Sequence, residues 1–273
     1  MGPSADAGGM YSALSAALLL ALAAPPAAAP ARPPAARALG ALRVIAIDPG
    51  HGGDNRGCLG VDGTWEKETT LDIARRVAAI LGRETTSVVR LTRDEDRPLG
   101  LRERSDLAGR WNADVFLSIH LNADAFGQGT GIETWFLAPA DEGAEGQALV
   151  EVEEAGYGET SSVERVEVQQ AEAIARDAAV GAARVASEVL AELVVTGMGE
   201  RTGARVRGVR QARFGVLKGA TMPAIVVECG FYSHAEEGMR LADPAYREQI
   251  ARGIVDGLLR FDARLAGSET AAR

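Results

Sequence analysis

The chain has 273 residues, 47% of them hydrophobic and 25% charged, which suits one large globular domain or two small ones. The net charge of −9 and the lack of a basic stripe argue against a nucleic-acid partner, because phosphate binding needs clustered Lys and Arg. Two cysteines, Cys58 and Cys229, are too few for a disulfide framework. We interpret them as two buried free thiols, although their spacing does not say whether they pair.

Residues 1–41 precede the predicted fold. The Ala/Leu run at residues 13–24 has the length of a signal-peptide core and is too short to span a bilayer comfortably. Small residues at 27–29 offer a cleavage site, and a Pro/Ala-rich linker follows, although no basic residue precedes the apolar run. The segment predicts export to the periplasm or to the extracellular cell wall, with no stable transmembrane anchor. A low-complexity disordered tail is the alternative.

The first predicted strand, residues 44–47, is apolar and ends at Pro49 and Gly50. Proline lacks an N–H and glycine accepts positive φ, so His51 is placed on a loop at the carboxyl end of the strand. Ligands collect at this edge of open α/β sheets. We therefore expect His51 to hold a metal or move a proton, with a solvated loop histidine as the alternative.

The rest of the chain alternates between predicted helices and strands. The predicted helices are at residues 65–82, 99–108 (exposed), 169–195 and 244–259, and the predicted strands are at residues 88–92, 115–120, 132–137, 210–217 and 223–231. The alternation predicts an α/β fold, a single domain with a mostly parallel, mixed central sheet flanked by helices on both faces. We place this domain at residues 42–265 and a tail at residues 266–273.

Residues 139–168 interrupt the alternation. The segment is rich in Glu and Gly, and no strand is evident in it. Loops of this length are usually functional or disordered. We treat it as an acidic insertion that is either functional or disordered.

Four polar residues stand at predicted strand ends and a helix start: His51, Glu66, His120 and Glu228. Two imidazoles and one carboxylate form the ligand set of a catalytic zinc site, with a fourth position left for water. A second carboxylate that is not a ligand then has to move the proton. Glu228 follows three apolar residues, where burial of a carboxylate is costly without such a purpose.

Each of these residues also has an ordinary structural explanation. Glu66 in a first helical turn favours the helix dipole, and His120 is explained as a core histidine bonded to a carbonyl. Glu228 is explained as the partner of Arg207 or Arg210. Together these explanations require four coincidences at one edge of the sheet, which favours the metal site.

The chain resembles the zinc-dependent N-acetylmuramoyl-L-alanine amidases, the type-3 amidase family of cell-wall hydrolases. Five motifs in the family's order carry the resemblance: residues 47–53 (IDPGHGG), 65–67 (WEK) followed by Leu71, 118–123 (SIHLNA), 207–209 (RGV) and 227–231 (VECGF). The resemblance implies that His51, Glu66 and His120 bind one Zn²⁺ and that Glu228 is the catalytic acid/base. It also implies peptidoglycan as the partner and cleavage of the amide between N-acetylmuramic acid and L-alanine, as in cell-wall remodelling and daughter-cell separation. We assign substrate contacts to Asn122 and Arg207.

Some relatives carry a regulatory helix that covers the zinc until an activator displaces it. By resemblance, we hypothesise that residues 139–168 are autoinhibitory, that they offer a Glu to the metal's open position, and that a protein activator relieves the inhibition. A solvated acidic loop is the alternative. Two other functions stay open at this point: a zinc exopeptidase in which Arg207 or Arg210 binds a free terminus, and a wall-binding module without activity. The complete set of four residues argues against the second.

Overall fold

Within residues 36–139, 146–157 and 170–271, the parts of the chain that the computed structural model describes, six strands form one sheet. They are β1 (Val44–Pro49), β2 (Val88–Leu91), β3 (Val115–Asn122), β4 (Ile132–Leu137), β5 (Val206–Ala212) and β6 (Ala224–Phe231), in the spatial order β2-β1-β3-β6-β4-β5. The pairs β1–β2, β1–β3, β3–β6 and β4–β5 are parallel, and β4 is antiparallel to β6. The predicted mostly parallel, mixed sheet is confirmed.

Helices cover both faces of this sheet. They are α1 (Glu66–Glu84), α2 (Leu101–Arg110), α3 (Gln147–Glu154), α4 (Gln170–Thr202), α5 (Ala235–Ala242) and α6 (Pro244–Ala271). The larger core lies between one face and α1, α4 and α6. The smaller core lies between the other face and α2, α3 and a 3-10 turn at Gly215–Leu217. Among the described helices we find none with the length and hydrophobicity needed to span a bilayer.

Helices α4 and α6 touch through their backbones. A Cβ added at Gly197 would lie 2.3 Å from the carbonyl oxygen of Gly253, and one added at Gly257 would lie 2.5 Å from the Cα of Val194. Only glycine allows so close an approach. The described part of α4 that packs on α6 is therefore fixed against the sheet.

Several boundaries differ from the predictions. The strand predicted at residues 210–217 is β5 at Val206–Ala212, because an edge strand rich in arginine and glycine lacks the apolar run that we used as the signal. Helix α5 was not predicted, and α6 continues to Ala271 through residues assigned to the tail. Helix α2 is not simply exposed, since it buries Arg104 against a carboxylate of β1.

Of the predicted leader and linker, residues 1–35 lie outside the described residues. Contacts with the domain begin before residue 42, because Leu39 is buried in the larger core and the amides of Gly40 and Ala41 donate to the Asp262 carboxylate. Of the insertion, residues 140–145 and 158–168 also lie outside the described part. Cys58 and Cys229 are both free thiols.

Candidate active site

The loop after β1 holds His51 in an unusual conformation. His51 has a φ of 60°, in the left-handed region that side-chain-bearing residues rarely adopt. The buried Arg104 guanidinium supports this backbone by donating to the carbonyl oxygens of His51 (2.7 Å) and Pro49 (2.8 Å). Arg104 in turn pairs with the buried Asp48 carboxylate at 2.8 Å. Strain of this kind persists only where the surroundings enforce it, as is common at functional sites.

Glycine at position 50 lets this loop approach β3. A Cβ on Gly50 would lie 2.5 Å from the His120 ring. The His51 and His120 rings therefore meet edge to face, with centroids 4.8 Å apart. The end of β1 and the end of β3 thus deliver one imidazole each to the same point.

The structure brings His51, Glu66 and His120 together. Glu66 Oε1 lies 3.0 Å from His51 Nε2 and 3.3 Å from His120 Nδ1, and all three side chains are buried. The backbone amides of Leu121 and Cys58 donate to the two Glu66 oxygens at 2.9 and 3.0 Å, which fixes the carboxylate. His51 Nδ1 donates to Asn55 Oδ1 at 2.9 Å, so Nε2 is the ring nitrogen that faces the cluster.

A fourth residue, Glu153 on α3, completes this group. Its Oε2 lies 2.7 Å from His120 Nδ1 and 3.1 Å from His51 Nε2, and the side chain is buried. The sequence suggested that the insertion offers a Glu, but not which one. The donor atoms of the four residues all lie within 4.8 Å of one another.

The group has the properties of a metal site. His120 Nδ1 is buried and has no hydrogen-bond partner among the described residues, despite its short contact with Glu153. Burial lowers the pKa of His51, but the charge of Glu66 and the hydrogen bonds of Glu153 and Glu66 outweigh it and raise that pKa to about 12. Two carboxylates and two imidazoles converging in a buried pocket are electrostatically suited to a divalent cation.

Glu228 lies beside the group without joining it. It pairs in register with His120 across β3 and β6, and its side chain is fully buried. Neither carboxylate oxygen accepts a hydrogen bond from a described residue. Burial raises the pKa of Glu228 well above its usual range, and the charges of Glu153, Glu66 and Glu133 raise it further. The alternative in which Arg207 or Arg210 neutralises Glu228 is wrong, because both guanidiniums lie against Glu133.

The two residues assigned to substrate contacts meet at this same Glu133. Asn122 Nδ2 donates to Glu133 Oε1 at 2.7 Å, and Arg207 Nε donates to Oε2 at 2.7 Å. Glu133 is buried on β4 and was missed from the sequence. A signal existed: it is the one charged residue in the otherwise apolar and hydroxyl-bearing run of residues 132–137.

Helix α3 covers the group through several contacts. Val150 packs into the smaller core, and the Glu154 carboxylate accepts from the Gly215 amide. Just beyond the helix, the Tyr157 hydroxyl accepts from the His51 amide at 3.0 Å and its ring stacks on the His51 ring. A cavity of about 320 Å³ remains beside the group, lined by both loop and α3 residues. In this structure α3 therefore seals one side of the cluster.

Comparison with known proteins gives a consistent result. A family model described as N-acetylmuramoyl-L-alanine amidase matches residues 45–260. The amidase AmiA of Escherichia coli K12 is 30% identical over an alignment of 241 positions, which covers 83% of this chain and 78% of AmiA. The probable amidase AmiB of Haemophilus influenzae is 31% identical over 80% of this chain, which spans only 51% of that protein. The solved structure of an N-acetylmuramoyl-L-alanine amidase from Clostridium difficile 630 has a TM-score of 0.62 and 29% identity, covering 81% of this chain and 97% of that one.

Proposed function

The chain belongs to the N-acetylmuramoyl-L-alanine amidase family, and from that premise we propose that His51, Glu66 and His120 hold one zinc ion while Glu228 moves the protons. Family membership indicates hydrolysis of the amide between N-acetylmuramic acid and L-alanine in peptidoglycan. The observation that carries the zinc proposal is the convergence of three buried donor atoms on one point, where His120 Nδ1 makes no hydrogen bond to any described residue.

Zinc bound there would supply a Lewis acid that polarises the scissile carbonyl and activates water. Glu66 stays ionised and fixed, because burial alone would raise its pKa but the charges and hydrogen bonds of His51 and His120 hold it well below the usual range. No described residue hydrogen-bonds to either Glu228 oxygen, so the carboxylate can accept a proton from water and donate it to the leaving amine. Its complete burial keeps bulk water from competing for that proton.

We also propose that α3 is autoinhibitory. The Glu153 carboxylate stands where a catalytic zinc site keeps its open position, and Tyr157 and Glu154 fasten the segment to loops on two sides. Access to the cluster then requires α3 to leave. A protein activator that binds the displaced segment would supply the free energy for this change.

Export to the periplasm or the cell wall is a further part of this proposal. It rests on the apolar run and Pro/Ala-rich linker of residues 1–41, and on the location of the substrate outside the cytoplasmic membrane. Identifying the N-terminus of the mature protein in the producing cell by mass spectrometry tests it. A mature protein that still begins at residue 1 inside the cell would contradict it.

The amidase reaction is tested with purified peptidoglycan and the full chain, with and without a chelator. We expect metal-dependent release of peptides that begin with a free L-alanine, identified by mass spectrometry. Glu228→Gln is the matched control, because it changes one atom of a residue outside the metal group. Release of single terminal amino acids instead would support the exopeptidase. If a zinc-loaded chain carrying Glu153→Ala released no peptide, that result would contradict the amidase proposal.

A further inference from the structure

Four residues form a row across the sheet at its catalytic edge. His120 on β3 pairs with Glu228 on β6, Glu228 pairs with Glu133 on β4, and Glu133 pairs with Gly208 on β5. Residues paired in register project from the same face of a sheet. The row therefore runs from the proposed zinc group, through the proposed acid/base, to a second carboxylate and then to a glycine.

The order of this row distinguishes the two halves of the substrate. The zinc group would take the carbonyl of the muramoyl half, and Glu228 delivers a proton to the nitrogen of the peptide half. Groups beyond Glu228 consequently face the peptide. Among the described residues the row also ends in free space, because a Cβ added at Gly208 meets none of their atoms within 4 Å.

Glu133 fixes the side chains of Asn122 and Arg207 at this edge of the sheet. An ionised carboxylate only accepts hydrogen bonds, so Asn122 has to turn its NH₂ group toward Glu133 and its carbonyl oxygen away. Arg207 is held by its Nε–H and by stacking over Phe231, 5.0 Å from the ring centroid. A guanidinium has five N–H donors, so Arg207 retains donors for a ligand, and its side chain is 25% exposed.

We propose that Glu133 is a positioning residue, which holds Asn122 and Arg207 as the subsite for the stem peptide beyond its L-alanine. The ligand groups are the carbonyl and carboxylate oxygens of that peptide, which Arg207 binds by charge-assisted hydrogen bonds, and the amide N–H groups that Asn122 Oδ1 accepts. This inference rests on the amidase function proposed above and adds which half of the substrate this side of the site binds.

The test uses the full chain, zinc-loaded and carrying Glu153→Ala so that α3 does not limit access. Two soluble substrates are compared: N-acetylmuramoyl-L-alanine, and the same compound extended by the rest of the stem peptide. We expect Glu133→Gln to lower kcat/KM for the long substrate about tenfold to a hundredfold, mainly through KM, since hydrogen bonds to charged groups are lost. Cleavage of the short substrate is expected to change less than about threefold, within the net worth of a neutral hydrogen bond. Arg207→Ala, at a partly exposed position, is expected to show the same selectivity should Glu133→Gln fold poorly.

A mutant cycle tests whether Glu133 acts through its partners. In a chain that already carries both Asn122→Ala and Arg207→Ala, adding Glu133→Gln is expected to cause no further loss of kcat/KM for the long substrate. Glu133→Asp is expected to recover part of the long-substrate activity. Glu237→Gln is the matched control, because Glu237 is another buried carboxylate at this edge but accepts from the Gly131 amide instead.

The outcomes separate the two proposals. Equal losses on both substrates, or no loss on either, with zinc content and melting temperature unchanged, would overturn the positioning role while leaving the amidase intact. A parent chain that binds zinc yet cleaves neither substrate would overturn the amidase function itself, and the subsite with it.

Discussion

Replacing Glu153 with alanine is expected to raise the basal amidase activity of the full chain. The Glu153 carboxylate contacts both imidazoles of the cluster, at 2.7 Å from His120 and 3.1 Å from His51, and is almost completely buried. Among the described residues, Glu153 is the one residue of α3 that belongs to the group able to hold a metal. The substitution therefore removes the contact that closes the site and leaves Glu154 and Tyr157 in place.

The magnitude follows from the contacts that are lost. The Glu153 contact with His51 is a hydrogen bond to a charged group, which contributes about 1.5–3 kcal/mol, and the close charge contact with His120 adds to it, while burying the carboxylate offsets part of the gain. A net loss of about 2–3 kcal/mol changes the ratio of closed to open chains about 30- to 150-fold. The measured gain in basal activity is smaller than this ratio once most chains are open, so we expect the basal activity to rise at least about tenfold.

The assay measures peptides with a free N-terminal L-alanine released from purified peptidoglycan, without any activator. Glu151→Ala is the control, because Glu151 lies on the same helix but is exposed and accepts only from Gln147 among the described residues. We expect this control to match the parent chain. A Glu153→Ala chain that is folded, loaded with zinc and no more active than the parent would refute the reasoning.

Four further results are expected. Glu228→Gln should reduce the hydrolysis rate by about 10²–10⁴ while the zinc content measured by mass spectrometry stays unchanged, since the residue moves protons without binding metal. His120→Ala should lose the metal as well as the activity, so retained stoichiometric zinc would contradict its role as a ligand. Arg104→Met should lower the free energy of unfolding in urea by about 3–5 kcal/mol, because it leaves the Asp48 carboxylate buried without its cation. Burial alone would raise the pKa of Asp72, but the hydrogen bonds and charges of two arginines have the larger effect and hold that pKa below its usual value. The stability that Asp72 contributes is therefore present above its unfolded pKa of about 3.9 and is lost as the pH falls through its lower folded pKa. The melting temperature of Asp72→Asn should accordingly fall below that of the parent at pH 7 and converge with it in strong acid.

The sheet was predictable where strands are buried on both faces. Each of three apolar runs predicts a strand, and each is followed closely by a polar residue: His51, His120 or Glu228. The structure places these three residues at one edge of the sheet. Strand β5 has no such apolar run. It lies at the edge of the sheet and carries half-exposed arginines where a central strand would carry core residues.

The parts that were missed depend on partners far away in the chain. Glu133 and Arg104 are buried because Arg207 and Asp48 lie opposite them. The apolar residues around Glu133 indicate that it is buried, but the sequence near Glu133 or Arg104 does not identify the partner of either residue. Similarly, residues 151, 153 and 154 are all Glu, and only the rotation of α3 against the sheet directs Glu153 to the imidazoles. The local sequence therefore shows that the insertion is acidic, but the packing of α3 on the sheet determines which Glu contacts the imidazoles.

The position of α3 in the chain has a consequence for any activator. The helix lies between β4 and α4, and α4 is fixed to α6 by backbone contact at Gly197 and Gly257. A helix released from the cluster consequently stays covalently tethered to β4 and α4, and tethering of this kind gives an effective concentration on the order of millimolar. An activator thus has to compete with a high local concentration of the blocking carboxylate, and the site closes again as soon as the activator leaves. The same α3 sequence supplied as a free peptide would have to reach comparable concentrations to block an opened chain.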